Sequence, residues 1–192
     1  MDEPLLPPHG GYRDLQAYQL AEIIFDGTVA FCERLIDRRS RTVDQMVQAA
    51  RSGKQNIAEG SMVSGTSKKM EIKLISVARG SLEELLVDLH DYLRLNDLSL
   101  WPKDHPKAVA IRKLAYLKDK SYMTYKTYVE EKSPETAANT LICITHQANF
   151  LLDQLKRQLS AQFLEEGGFT ERLYRVRTQA RKNSLDSKQI VD

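Results

Sequence analysis

Apolar residues recur every three or four positions over most of the chain, which is the periodicity of amphipathic α-helices. The most regular stretch carries Leu141, Ile144, Ala148 and Leu155 on one face. No stretch of useful length alternates between apolar and polar residues, so the pattern predicts no β-strand. Four stretches predict long helices, at about residues 12–38, 43–60, 67–95 and 134–164.

Four long amphipathic helices with short connections are typical of an up-down antiparallel bundle. We therefore predict an all-α protein with a four-helix bundle over residues 12–164. A helical segment, 96–133, is inserted between the third and fourth helices; within it a helix is expected from about 107 to 130, which Ser121 could divide. Residues 1–11 predict a flexible N-terminal lead, and residues 165–192 a basic C-terminal tail that is helical to about Arg181.

Small polar residues and glycines mark the predicted helix ends. Thr42 is the expected N-cap of the second helix and Gly60 its C-cap, while Ser67 is expected to cap the third helix. Ser133 followed by Pro134 is typical of the start of a helix. Gly53 lies inside the second helix, where glycine costs about 1 kcal/mol relative to alanine. We interpret it as a point where another backbone approaches closely.

Composition is that of an ordinary folded protein, with 42% hydrophobic residues, 28% charged residues and a formal net charge of +2 in 192 residues. The two cysteines, Cys32 and Cys143, lie among apolar neighbours and are interpreted as buried. No apolar run approaches the ~20 residues of a membrane span. Met1 to Pro4 lacks the features of a signal peptide. We expect a cytoplasmic protein with no membrane partner.

Enzymatic chemistry finds little support in the sequence. The Glu-x-x-His motifs of di-iron bundles are absent; His90 and His146 could meet across the core, although lone helical histidines are more often structural. The glycine-containing turn at residues 60–67 resembles a phosphate loop, but Thr66 stands where that loop needs lysine. Lys68 and Lys69 beside the start of the third helix could bind one phosphate, or could flank an ordinary cap. We predict no catalytic residue, metal, cofactor or small-molecule substrate.

Basic residues are concentrated in three parts of the chain: residues 39–73, residues 103–126, where they interleave with tyrosines, and residues 168–188. Basic grooves with aromatic platforms suit RNA and single strands. Lysines also form ordinary solvated faces, and tyrosines also fill helix interfaces, so this alternative stays open. The candidate nucleic-acid-binding residues are Arg51, Lys54, Lys68, Lys69, Lys113, Lys120, Arg175, Arg177, Arg181 and Lys182.

Arg79 and Glu59 lie near the middle of the predicted hairpin of helices two and three. A turn centred on residue 64 separates them by about ten residues along the axis, or ~15 Å, so they are not expected to pair. Arg79 could instead reach Glu83 one turn on, or face a third helix, a neighbouring subunit or an anion. The candidate structural or subunit-interface residues are Gly53, Asn56, Glu59, Gly60, Arg79 and Gly80.

Two runs of the hairpin support a family resemblance. Gln45, Ala49-Ala50-Arg51-Ser52 and Asn56-Ile57-Ala58-Glu59-Gly60 are followed by the run Ala78 to Leu85, and residues 12–20 form a matching start. The sequence resembles the bacterial four-helix-bundle family named for open reading frames in the intervening sequences of 23S ribosomal RNA genes. The resemblance implies an up-down bundle, a homopentamer and kinship with the accessory protein of diversity-generating retroelements, which binds RNA and a reverse transcriptase. It supplies no catalytic residue.

These observations together predict a non-enzymatic, oligomeric helical protein that binds RNA or a ribonucleoprotein partner through basic surfaces. The alternative is a protein–protein adaptor or scaffold with no nucleic-acid role. The chain departs from the family pattern in the insert at 96–133 and in the basic tail after Gly168. We expect what is particular to this protein to lie in those two segments.

Overall fold

The computed structural model describes residues 5, 6 and 8–189, with side chains through residue 183. This part of the chain is all-helical and contains no strand, which confirms the predicted class. Parts of the predicted lead and tail, residues 1–4, 7 and 190–192, lie outside the described residues. The α-helices are α1 Gln16–Leu35, α2 Arg41–Val63, α3 Lys68–Leu95, α4 Pro106–Leu114, α5 Tyr122–Lys126, α6 Pro134–Glu166 and α7 Phe169–Gln189.

The predicted helix starts are right at two places and wrong at one. The hydroxyl oxygens of Ser67 and Ser133 accept hydrogen bonds from backbone N–H groups in the first turns of α3 and α6. The second helix, however, is capped by Ser40, whose hydroxyl oxygen accepts from the backbone N–H of Thr42. Thr42 is therefore already helical, because Ser40 supplies the acceptor that an N-cap must offer.

The predicted end of the second helix is also wrong. Gly60 is helical, and α2 continues to Val63, with Ser64 as its C-cap. Gly60 is buried against α3, where an added Cβ would lie 3.5 Å from the carbonyl oxygen of Glu71. Its small size therefore serves packing between helices and not termination.

Four long helices, α1, α2, α3 and α6, supply most of the core, and we call them the helical body. Among them, α2 packs on α1 and α3, and α6 packs on α1 and α3. The first helix begins later than predicted, because Tyr12–Asp14 form a 3₁₀ turn, and it ends at Leu35, where the chain becomes extended at Ile36. Large side chains with almost no exposure fill the interior, among them Phe31, Met46, Ile57, Leu85 and Leu141.

The insert is less regular than predicted. Helix α4 ends at Leu114, and residues 115–121 separate it from α5, which runs directly into a π-helical turn at Thr127–Glu131. The expected division near Ser121 is present, but it is a seven-residue break. The backbone N–H of Ser121 donates to Thr124 Oγ1, 3.2 Å away, where the helix restarts.

The insert is bound into the core at both ends. The backbone N–H of Trp101 donates to Asn139 Oδ1 at 2.8 Å, and its indole Nε1 donates to Glu135 Oε1 at 2.9 Å. The side-chain amide of Asn139 also donates to the carbonyl of Ser99. Ile111 and Tyr125 are buried. Since buried backbone groups keep partners, these bonds fix the path of the chain out of α3 onto α6.

The two ends of the described chain make hydrogen bonds to the long helices. Near the start, the backbone N–H of Gly10 donates to the carbonyl of Ser61 at the end of α2. At the other end, Gly167 adopts a φ of +75°, the left-handed region that favours glycine, and α7 begins two residues later. No described helix combines the length and apolar character needed to cross a membrane.

Candidate functional site

The basic residues of the α2–α3 hairpin divide into exposed and engaged groups. Arg51 and Lys69 are exposed. The Lys54 ammonium lies 4.2 Å from the centre of the Phe25 ring, and Lys68 pairs with Glu71 at 3.0 Å. Glu71 neutralises the charge of Lys68 within the chain. The start of α3 therefore fits an ordinary capped helix better than a phosphate site.

The tyrosines of the insert divide in the same way. Tyr125 is fully buried, and the Tyr122 hydroxyl donates to Glu130 Oε1 at 2.8 Å. Burial first, and the neighbouring Glu130 second, raise the pKa of Tyr122 far above its usual value. Tyr116 is 85% exposed. Of these three, only Tyr116 is exposed, while Tyr122 is half-buried.

Two of the predicted residues, Lys113 and Lys120, lie together at a cavity of about 600 Å³, which we call the basic cleft. Its walls come from the start of α1, from the insert and from the middle of α6. Four of the lining residues are basic and none is acidic. The lining residues are Gln16, Leu20, Lys103, Val109, Arg112, Lys113, Ala115, Tyr116, Lys120, His146, Gln147, Phe150, Leu151 and Gln154.

Hydrogen bonds hold the walls of the cleft in place. The Arg112 guanidinium donates to the carbonyl of Lys103, and the side-chain amide of Gln147 donates to the carbonyl of Arg112 at 3.0 Å. Lys120 Nζ donates to Gln19 Oε1 on α1 at 3.2 Å. The other amide atom, Gln147 Oε1, is buried without a hydrogen-bond partner.

The floor of the cleft is apolar and its rim carries aromatic rings. Leu20, Val109 and Leu151 contribute aliphatic surface, while Phe150 is 58% exposed and Tyr116 still more so. A cavity of this volume, apolar with a few polar groups, has the character of a small-ligand site. A site that sets cations beside apolar and aromatic surface can bind a planar organic molecule that carries a negatively charged group.

A second cavity of about 380 Å³, the inner cavity, shares Lys103, Arg112 and His146 with the basic cleft. Here His90 and His146, which the sequence left as a possible pair, lie with their ring centroids 6.4 Å apart. Burial first, and His90 second, lower the pKa of His146. Burial also raises the pKa of the neighbouring Cys143, although Arg112 opposes that shift.

Within the described residues, no group of three or more His, Cys, Asp or Glu side chains is placed to hold a metal ion. Both cysteines are free and buried, as predicted. Burial raises the pKa of Cys32 to about 12, so its thiol stays protonated near neutral pH.

The candidate interface residues of the hairpin are mostly engaged within the chain. Gly53 is buried, and an added Cβ would lie 2.6 Å from Leu82 Cδ2 and 3.7 Å from the backbone carbonyl oxygen of Ala78, so the tightest approach is by a side chain with a backbone atom beside it. The Asn56 amide donates to the carbonyl of Ser52 at 2.8 Å. Gly60 is buried against α3 as described above.

Arg79 has partners inside the chain. It pairs with Glu83 one turn further along α3 and with Asp153 of α6, the latter at 3.4 Å. Two of the alternatives left open by the sequence, a pair with Glu83 and a contact with a third helix, are therefore both present. Glu59 and Gly80 are exposed, and no atom lies within 4 Å of the position of a Cβ on Gly80. Among the candidate interface residues, these two are exposed, whereas Asn56 and Arg79 are half-buried.

The basic tail forms α7, in which Arg175, Arg177, Arg181 and Lys182 are exposed. Arg175 also donates to the carbonyl of Glu166 at 3.2 Å. These cations form a surface on a different helix from those that build the basic cleft. The structure therefore places the predicted residues on three surfaces: the hairpin, the cleft and α7.

Sequence reasoning missed several cleft residues. Arg112, His146 and Phe150 were not predicted, because they lie on two helices that are distant in the sequence. The run of alternating lysines and tyrosines near Lys113 was a partial signal. Comparison with family models, with curated proteins and with solved structures gives no match for this chain.

Proposed function

We propose that the protein is a non-enzymatic, cytoplasmic RNA-binding protein that binds RNA or a ribonucleoprotein partner through its basic surfaces. We further propose that the helical body is an up-down antiparallel four-helix bundle and that it assembles into a homo-oligomer, with the pentamer implied by the family resemblance as the expected size.

The contacts between neighbouring helices support the antiparallel arrangement. In three helix pairs, residue numbers that increase along one helix meet residue numbers that decrease along the other. Between α1 and α2, Phe25 lies against Lys54 and Cys32 against Met46. Between α2 and α3, Gly53 faces Leu82 and Gly60 faces Leu74, and between α3 and α6, Arg79 pairs with Asp153 and the His90 ring faces the His146 ring.

One observation carries the RNA proposal: the basic cleft gathers four cations without a carboxylate and sets them beside exposed rings of Tyr116 and Phe150. RNA phosphates need cations, and unpaired bases stack on aromatic side chains. A merely solvated lysine face would not need the aromatic rings. The exposed cations of α7 extend the surface available to the RNA backbone.

The homo-oligomer proposal draws on one stripe of α3. Val77, Gly80, Glu84 and Val87 follow at steps of three and four, so they share a face. Val77 is 43% exposed, Val87 is 55% exposed, and Gly80 leaves space for a close approach. The same stripe supports the alternative function, an adaptor that binds another protein and not RNA.

The test is binding of a structured RNA with single-stranded tails over a salt series. The dissociation constant should rise steeply with salt, because phosphate contacts release counterions. On a plot of log binding constant against log salt concentration, each phosphate contact to a single strand contributes about 0.7 to the magnitude of the slope. The variant Lys113→Ala with Lys120→Ala removes two such contacts and should therefore reduce the magnitude of that slope by about 1.4.

The matched control is Lys73→Ala with Arg157→Ala, which removes the same charge from exposed positions outside both cavities. Absence of RNA binding even at low salt would end the proposal. If partners survive nuclease treatment in a pull-down while purified protein binds no RNA, the adaptor function replaces it.

A further inference from the structure

We propose that the basic cleft is a binding site for one nucleoside monophosphate unit, with the base against the apolar floor and rings and the phosphate among the lysines and arginine. The unit could be an unpaired nucleotide of an RNA or a free nucleotide. If the nucleotide belongs to an RNA, the inference rests on the proposed function and deepens it, because it predicts that the protein prefers unpaired to paired RNA.

The size and lining of the cleft support a base. A volume of about 600 Å³ is within the range of small-ligand pockets. Leu20, Val109 and Leu151 offer an apolar floor, while Tyr116 and Phe150 offer aromatic surface at the rim. A base is planar and apolar on its faces, so it can lie on both kinds of surface.

The charges support a phosphate. Lys103, Arg112, Lys113 and Lys120 line the cleft, and no carboxylate does. Among the described side chains, none of these four residues forms an ion pair with an acidic side chain. Their positive charge is therefore not neutralised inside the chain, and a phosphate is the complementary ligand.

The form of the cleft favours an unpaired nucleotide. A base within a duplex is stacked on both faces and paired along its edge, so it cannot also lie on the floor of a cavity. An unpaired base loses little stacking energy and no pairing energy when it enters a cavity. The cleft therefore distinguishes single strands from duplexes, which the cations of α7 alone would not do.

The experiment compares five probes on the full chain: adenosine monophosphate, uridine monophosphate, a single-stranded RNA of about ten nucleotides, a blunt duplex of the same sequence, and a fatty acid. Binding is followed by calorimetry and by anisotropy. We expect the single strand to bind at least tenfold more tightly than the duplex. The variant Tyr116→Ala with Phe150→Ala should weaken single-strand and free-nucleotide binding by about tenfold, since stacking on one ring is worth roughly five- to a hundredfold.

Tyr116→Ala alone is the safeguard against misfolding, because this side chain is 85% exposed. Met123→Ala is the matched control, an exposed apolar residue outside both cavities, and it should leave binding unchanged. Equal binding of single strand and duplex, unaffected by the ring variants, would overturn the inference and leave the proposed function standing.

Two further outcomes separate the claims. Binding of free nucleotides without any RNA binding would support the cleft inference and refute the proposed function. Binding of the fatty acid alone would overturn both, because the cleft would then recognise an amphiphilic carboxylate. Loss of all binding in every arm would also overturn both.

Discussion

Gly53 and Gly80 show how different two glycines of one hairpin can be. Gly53 faces Leu82 so closely that an added Cβ would overlap it, whereas Gly80 faces open space. Both lie inside helices, where glycine is unfavourable by about 1 kcal/mol relative to alanine. The difference between the two sites therefore isolates packing from helix propensity.

Gly80→Ala is expected to stabilise the isolated chain by up to about 1 kcal/mol, because it gains helix propensity and meets no atom. Gly53→Ala is expected to destabilise it by about 1–2 kcal/mol, because Leu82 is buried and must shift. Urea unfolding followed by circular dichroism measures both. A stabilised Gly53→Ala would contradict the packing of α2 on α3 described above.

The residue scale also shows where sequence reasoning stops. The sequence predicted that the backbone of another helix approaches Gly53, and the Ala78 carbonyl does lie near it, but it did not predict the closer side chain of Leu82. It left open several partners for Arg79, and two of them apply. The spacing of a helix gives the face of a residue, but the atom opposite depends on how a second helix is rotated.

At the scale of elements, the connection from α3 to the insert depends on Asn139. This side chain is 1% exposed, accepts from the backbone N–H of Trp101 and donates to the carbonyl of Ser99. It lies on α6, about forty residues further along the chain. One amide therefore fixes the insert on a helix that is distant in sequence.

Asn139→Ala is expected to destabilise the protein by about 2 kcal/mol, because it leaves the buried N–H of Trp101 without a partner and removes the partly buried bond to the carbonyl of Ser99. Trp101 is the chain's single tryptophan, so its emission reports the change directly during urea unfolding. Asn96→Ala, at an exposed position, is the matched control and should cost less than about 1 kcal/mol. Equal costs for the two variants would contradict the larger contribution expected from the bonds of Asn139, since Asn96 makes one exposed bond to the carbonyl of Tyr92.

The long helices were predictable, and the short ones were not. Periodicity over twenty or more residues averages out local exceptions, so α2, α3 and α6 were placed within three residues at each end. The five-residue α5 is too short for such averaging. The break at residues 115–121 was underestimated because Tyr116, Leu117 and the two lysines there fit a helix pattern while lying outside a helix.

At the scale of the whole molecule, the exposed stripe of Val77, Gly80 and Val87 predicts how copies would assemble. Val77→Glu with Val87→Glu is expected to convert the proposed oligomer to monomers, because it places charges in the contact. Light scattering after size exclusion measures the mass. Met123→Glu with Leu164→Glu, two exposed apolar positions outside this stripe, should leave the mass unchanged. A wild-type protein that is monomeric at high concentration would contradict the assembly.

The basic cleft could not be predicted as a unit. Its lining comes from residues 16–20, 103–120 and 146–154, and a net charge of only +2 gives no sign of it. The sequence identified Lys113 and Lys120, because they lie in one lysine- and tyrosine-rich run. Arg112 and His146 became part of the same site only through the docking of the insert on α6.

That docking links occupancy of the cleft to the local unfolding of the insert. Lys103, Arg112 and Lys113 move away from Phe150 and Leu151 whenever α4 leaves α6, so the open form has no cleft to offer a ligand. A ligand that binds only the closed form must shift the population toward it. Backbone amides of α4 would then exchange their hydrogens more slowly when the cleft is filled, although most of them lie outside its walls.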